Sequence, residues 1–177
     1  MFQKYFFIII NIVLGPILLY TYYRGVSQNS DIASKLWGGV PQILIPYIVA
    51  FMFIAALGYF FFTYYLIFEI NQQTLLIFNK FNFSIFIILY LLILIPSCLW
   101  IDLSINYLIS GNPITWKWIV FILYTVGIAS IILLLCLINI NPSNESLLYK
   151  ISILGCSIFA FHTMFLDGFL WTTFFHK

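Results

Sequence analysis

Three ionisable side chains, Asp102, His162 and Asp167, interrupt stretches of the sequence that are otherwise apolar and long enough to cross a bilayer. A charge at membrane depth is costly, on the order of a few kcal/mol or more, so such a group faces a protein interior or a wet cavity and takes part in function by default. Around Asp102 the run reads Ile95-Pro96-Ser97-Cys98-Leu99-Trp100-Ile101-Asp102-Leu103-Ser104-Ile105-Asn106. Cys98, Asp102 and Asn106 follow at i, i+4 and i+8, which makes a polar stripe on one helical face, expected to point inward. Asp102 can then serve as a proton carrier, as an anchor for a ligand amine or as a hydrogen-bond acceptor. The plainer alternative is a structural acid bonded to Asn or Ser across a helical bundle.

Asp167 and Trp171 are i, i+4 neighbours, an arrangement in which a bound cation could meet both a carboxylate and a π face. His162 precedes Asp167 by five residues, about 140° around a regular helix, which argues against a His-Asp dyad within one span. The expectation is instead that His162 meets Asp102 from a neighbouring helix, where a carboxylate would orient it, or that it stays neutral and bonds a backbone carbonyl. Asp102, His162 and Asp167 lack metal-ligand spacing, so no metal is expected, and a cofactor is left unknown. The sequence contains no P-loop, GxGxxG, GxSxG or HExxH motif and no filter-like repeat. Cys98, Cys136 and Cys156 form no CxxC pair and read as buried small hydrophobes.

The elements that must position these residues follow from composition. Of 177 residues, 64% are hydrophobic and 7% charged, and the mean hydropathy is +1.10. That leaves too little polar surface for a water-soluble globule, so the expected fold is all-α: a multi-pass integral membrane protein, one domain over residues 1–177, with five transmembrane helices. The spans fall at about 5–23, 45–68, 83–108, 116–138 and 147–174. The apolar run that follows Lys4 lacks a small-residue cleavage pattern and reads as a retained first span. Gly15-Pro16 is expected to kink span 1. Ala50, Ala55, Ala56 and Gly58 in span 2 and Gly127, Ala129 and Ser130 in span 4 are close-packing residues. The remaining breaks are Ser27 to Asp31, with a helix cap at Ser30 or Asp31, Trp37-Gly38-Gly39-Val40-Pro41, Ser110-Gly111-Asn112-Pro113 and Asn141-Pro142-Ser143. The net charge of +2 comes with no basic run, so nucleic acid is not expected as a partner.

Five spans put the loop after span 1, the loop after span 3 and the C-terminus on one face. The segment Arg24 to Pro41 is long enough to fold over the bundle there as a lid. Asp102 and Asp167 then share one half of the membrane with Trp37, Trp100, Trp116, Trp118 and Trp171, all the tryptophans of the chain. An ordinary aromatic belt would decorate both interfaces. Lys4, Lys80 and Lys150 flank one face and Arg24, Lys35, Lys117 and Lys177 the other, so basic residues set no orientation.

Five spans, a Trp-containing loop after the first, and the segments Trp37-Gly38-Gly39-Val40-Pro41 and Pro96-Ser97-Cys98-Leu99-Trp100 together resemble the translocator protein family, the tryptophan-rich sensory proteins. That resemblance implies a porphyrin or sterol-like ligand. Asp102, His162, Asp167 and Trp171 are also similar in kind to the membrane-buried groups of the emopamil-binding sterol isomerases, which handle a carbocation. Three functions therefore stay open. The first is a pocket that binds or moves a hydrophobic small molecule such as a lipid, with Asp102, Asn106, His162 and Asp167 as polar anchors and Trp37, Trp100 and Trp171 as walls. The second is an isomerase-like or lipid-modifying enzyme in which Asp102, His162 and Asp167 shuttle protons. The third is a structural subunit of a larger membrane complex, and a homo-oligomer is open as well. Membrane lipids surround the chain in every case.

Overall fold

The computed structural model describes residues 2–141 and 146–176. Five of its helices are long and apolar enough to cross a membrane, and the chain is an all-α, multi-pass membrane bundle. Span 1 is α1 (Phe2–Gln28), followed by the short α2 (Ser30–Ala33) and a 3₁₀ turn (Ser34–Trp37). Span 2 is α3 (Ile45–Phe68), span 3 is α4 (Ser84–Ser110) and span 4 is α5 (Pro113–Ile138). Span 5 begins as α6 (Leu147–Phe161), turns π-helical over His162–Trp171, and closes as α7 (Thr172–Phe174).

Helix ends follow local chemistry. The Asn112 side chain accepts a hydrogen bond from the Ile114 N–H at 2.9 Å, and Pro113 occupies the first turn of α5, where its missing N–H costs nothing. Gly111 ends α4 in the left-handed region, φ 64°, with its N–H on the Tyr107 carbonyl at 2.8 Å. Ser146 caps α6 through the Tyr149 N–H. Span 1 runs beyond the expected Tyr23 to Gln28, because Gly25 sits against Ile101 and Ile105 of span 3 and tertiary packing keeps the chain helical. The helix continues through Pro16. Asn29, not Ser30 or Asp31, precedes α2, and its side chain donates back to the Gly25 carbonyl instead of capping.

Span 3 packs on spans 1 and 4, span 4 on span 5, and span 5 on span 2. Span 1 is peripheral: 11% of its apolar window is buried, against 50% for span 4. Spans 2 and 5 cross at Gly58 and Gly155, where a methyl group on Gly58 would come within 2.6 Å of the Gly155 carbonyl. This is the close approach that small residues permit in membranes.

On the face away from the lid, β1 (Leu76–Ile77) pairs antiparallel with β2 (Ile140–Asn141), tying the two connections together. This ribbon replaces the plain connection expected over Glu69–Asn82. Strands of two residues leave no alternation for a sequence to display. The expected break at Asn141-Pro142-Ser143 lies, from Pro142 on, outside the described residues, as does Lys177.

The apolar interior is divided. A large core in the half away from the lid gathers Phe7, Phe62, Phe83, Phe86, Tyr90 and Leu133. A second core lies under the lid, with Val40, Ile48, Ile119, Leu123, Trp171 and Phe175, against which Trp37, Trp100 and Trp116 pack. Leu36, Ile101 and Ile105 extend it toward span 1. The lid does fold over the bundle. The Trp171 indole Nε1 donates to the Leu36 carbonyl at 2.8 Å and the Gly39 N–H to the Phe174 carbonyl at 3.1 Å. Gly38, at φ 53°, lies so close to Phe175 that a methyl group there would meet its backbone.

Candidate functional site: a polar layer between two cores

Between the two cores the buried side chains change character. On span 3 the lower core ends at Leu94 and the upper one resumes at Trp100 and Ile101, leaving Pro96, Ser97 and Cys98 between. On span 5 the lower core ends at Phe159 and the upper one resumes at Leu170, and His162 and Asp167 lie between. Tyr22 of span 1 stacks on Trp100, with ring centroids 5.5 Å apart. Cys98 itself points its thiol at the Leu14 carbonyl across the span 1 interface, 3.8 Å away.

His162 and Asp167 do share a face, contrary to the expectation from α-helical spacing. The imidazole Nε2 lies 3.4 Å from an Asp167 carboxylate oxygen. The reason is the π-helical stretch His162–Trp171, whose i→i+5 hydrogen bonds widen each turn and bring residues five apart into register. Threonine hydroxyls sit at both ends of it. Thr163 donates to the Phe159 carbonyl at 3.0 Å, Thr172 to that of Gly168, and Thr173 to that of Phe169 at 2.7 Å. A change of helical register leaves carbonyls short of a backbone donor, and these hydroxyls supply one. Gly127 of span 4 lies against Met164, giving the wider helix room to approach.

The polar stripe on span 3 does not point inward. Asp102 and Asn106 are exposed on the bundle surface, and only Cys98 is half-buried. Asp102 pairs with Arg24 of span 1, and both side chains are more than a third exposed. That contact also overturns the expected meeting of His162 with Asp102. The sequence does not point to this pairing, because Arg24 falls at the expected start of the loop after span 1. Once α1 continues to Gln28, Arg24 stands on its last turns beside span 3, with its long stem free to snorkel toward the interface. Asn106 accepts a hydrogen bond from Ser110, four residues further along the same helix, at 3.3 Å.

The aromatic expectation fares differently. Trp100 and Trp171 meet edge to face with centroids 5.6 Å apart, and Trp171 also packs on Trp116 and Phe175. Trp37 packs against the same core from the lid, while Trp118 stays exposed. Trp171 is therefore a pillar under the lid, its indole N–H already committed to Leu36. Trp100 is not so committed, since its Nε1 is buried without a hydrogen-bond partner among the described residues. Ser104 Oγ and His162 Nδ1 are in the same condition. Natively folded proteins leave few such atoms, and each calls for an explanation.

Asp167 keeps 36% of its side chain accessible, so the layer opens sideways rather than forming a sealed cavity. A shallow surface depression lined by Ile114, Lys117, Trp118 and Phe121 lies at the lid-face end of span 4, apart from this layer. Among the described residues, no group of three or more His, Cys, Asp or Glu side chains is disposed to hold a metal ion. No protein-family model, curated protein or solved structure matches this chain.

Proposed function

We propose that the protein binds a hydrophobic small molecule in the lid-face half of the bilayer, with the molecule's polar end at the layer of Tyr22, Trp100, His162 and Asp167. The observation that carries this reading is His162: it is 7% exposed, one ring nitrogen stands beside Asp167, and the other has no hydrogen-bond partner among the described residues. Leaving such a group unpaired costs roughly 1–3 kcal/mol, a cost that a ligand supplying the missing hydrogen bond would remove. The lid is latched by Trp171 and Gly39, so the ligand's way in is lateral, along peripheral span 1. Trp100 and Trp171 are walls in this reading, and Trp37 closes the top. Asp102 holds span 1 to span 3 through Arg24 and anchors the ligand only indirectly, while Asn106 bonds Ser110 on the bundle surface. The resemblance to the translocator protein family points to the same class of ligand.

A second reading, proton transfer to such a molecule by a lipid-modifying enzyme, is favoured by one observation. The carboxylate of Asp167 behind an imidazole is the arrangement that orients a general base.

Native mass spectrometry of the purified chain released from detergent tests both. The wild type is expected to carry one bound hydrophobic molecule that His162→Phe and Asp167→Asn lose. A wild type that carries none, or variants that carry as much, contradicts the binding reading. Under the second reading the variants retain the molecule in an unconverted form that the wild type lacks.

A further inference from the structure

The partners of the two His162 nitrogens point to the chemical class of the ligand's polar end, and this step rests on the binding reading above. An Asp167 carboxyl oxygen lies 3.4 Å from Nε2, and an ionised carboxylate at that place favours the tautomer that keeps the proton on that nitrogen. Nδ1 is then a lone-pair acceptor, buried and unpartnered. It needs a donor. The indole Nε1 of Trp100, in the same half of the bundle, is a buried donor that needs an acceptor.

A carboxylate head is repelled by Asp167 and offers Nδ1 no proton. An ether or ester head can satisfy Trp100 but gives nothing to Nδ1. An alcohol supplies the donor that Nδ1 lacks, and its lone pairs can also accept. We infer that the layer selects a neutral, long-chain hydroxyl compound, with the O–H donating to His162 Nδ1. The half-exposed Asp167 sets this tautomer and is a positioning residue.

Three probes of equal chain length discriminate the possibilities when titrated into the full chain in micelles: 1-dodecanol, its methyl ether and dodecylamine. Tryptophan fluorescence reads binding. The ¹⁵N resonances of labelled histidine read the His162 ring, with His176 assigned through His176→Gln. The alcohol is expected to bind about tenfold more tightly than the ether, the effect of one neutral hydrogen bond, and to shift the His162 Nδ1 resonance in the wild-type protein. His162→Phe is expected to bring the alcohol down to the level of the ether, and the resonance shift needs no variant to fold. Alcohol and ether binding alike, with no shift at Nδ1, overturns the hydroxyl preference while the binding reading stands. Dodecylamine binding most tightly, with a loss in Asp167→Asn but not in His162→Phe, would make the layer a cation site and also overturns it. If none of the three binds, the binding reading falls with the inference.

Discussion

The contrast between Asp102 and Asp167 shows how much a single partner decides. Both stand in the lid-face ends of apolar helices, and both are conspicuous in the sequence. Asp102 is matched by Arg24 on the bundle surface, whereas Asp167 faces His162 at the polar layer. An acid at membrane depth is therefore a prompt to find the partner before assigning a role. If Arg24 and Asp102 clamp span 1 to span 3, Arg24→Asp and Asp102→Arg should each lower thermal stability in detergent. The double exchange should recover most of the loss, read as coupling in a double-mutant cycle. Independent, additive losses would mean that the two charges do not work as a pair. Of these residues, Asp102, His162, Asp167 and the tryptophans stand out by type alone. Arg24 and Tyr22 do not, because nothing in the run Thr21 to Gln28 distinguishes the end of a span from the beginning of a loop, and the packing of Gly25 on Ile101 decides it.

At the scale of elements, the spans were legible and their internal register was not. Runs of apolar residues bounded by Gly, Pro and Asn turns locate the helices to within a few residues, and the extension of α1 is the largest shift. Hydropathy is blind to the difference between i→i+4 and i→i+5 bonding, so the π-helical stretch and the His162–Asp167 contact it creates had no signature beyond flanking threonines. The small residues were better guides. Gly58 reads as a close-packing position and does meet span 5 backbone to backbone, at Gly155, which the sequence alone does not mark. Gly155→Leu should force spans 2 and 5 apart and cost about 2 kcal/mol of stability, the overpacking range, seen as an earlier thermal transition in detergent. An unchanged transition would show that the two helices do not depend on this crossing.

On the scale of the whole molecule, one polar layer separates two apolar cores, and the lid seals the end nearer to it. The clustering of tryptophans in one half was visible once the spans were counted, because topology alone fixes which ends share a face. That the half would hold a divided core was not visible, since it depends on which side chains each helix turns inward. The bundle's central feature is that the wide turn of span 5 brings His162 and Asp167 together at that layer. Disulfide trapping reads this directly. In a chain whose Cys98, Cys136 and Cys156 are replaced by Ala, His162→Cys combined with Asp167→Cys should oxidise to an intrahelical bond, as should the control pair His162→Cys with Leu166→Cys. On a regular α-helix the residues five apart diverge by about 140°, and cysteines whose Cα atoms are more than about 7 Å apart cannot be bridged without backbone movement. Oxidation of both pairs is the predicted result. Oxidation of the control pair alone would place span 5 in α-helical register and dissolve the His162–Asp167 site.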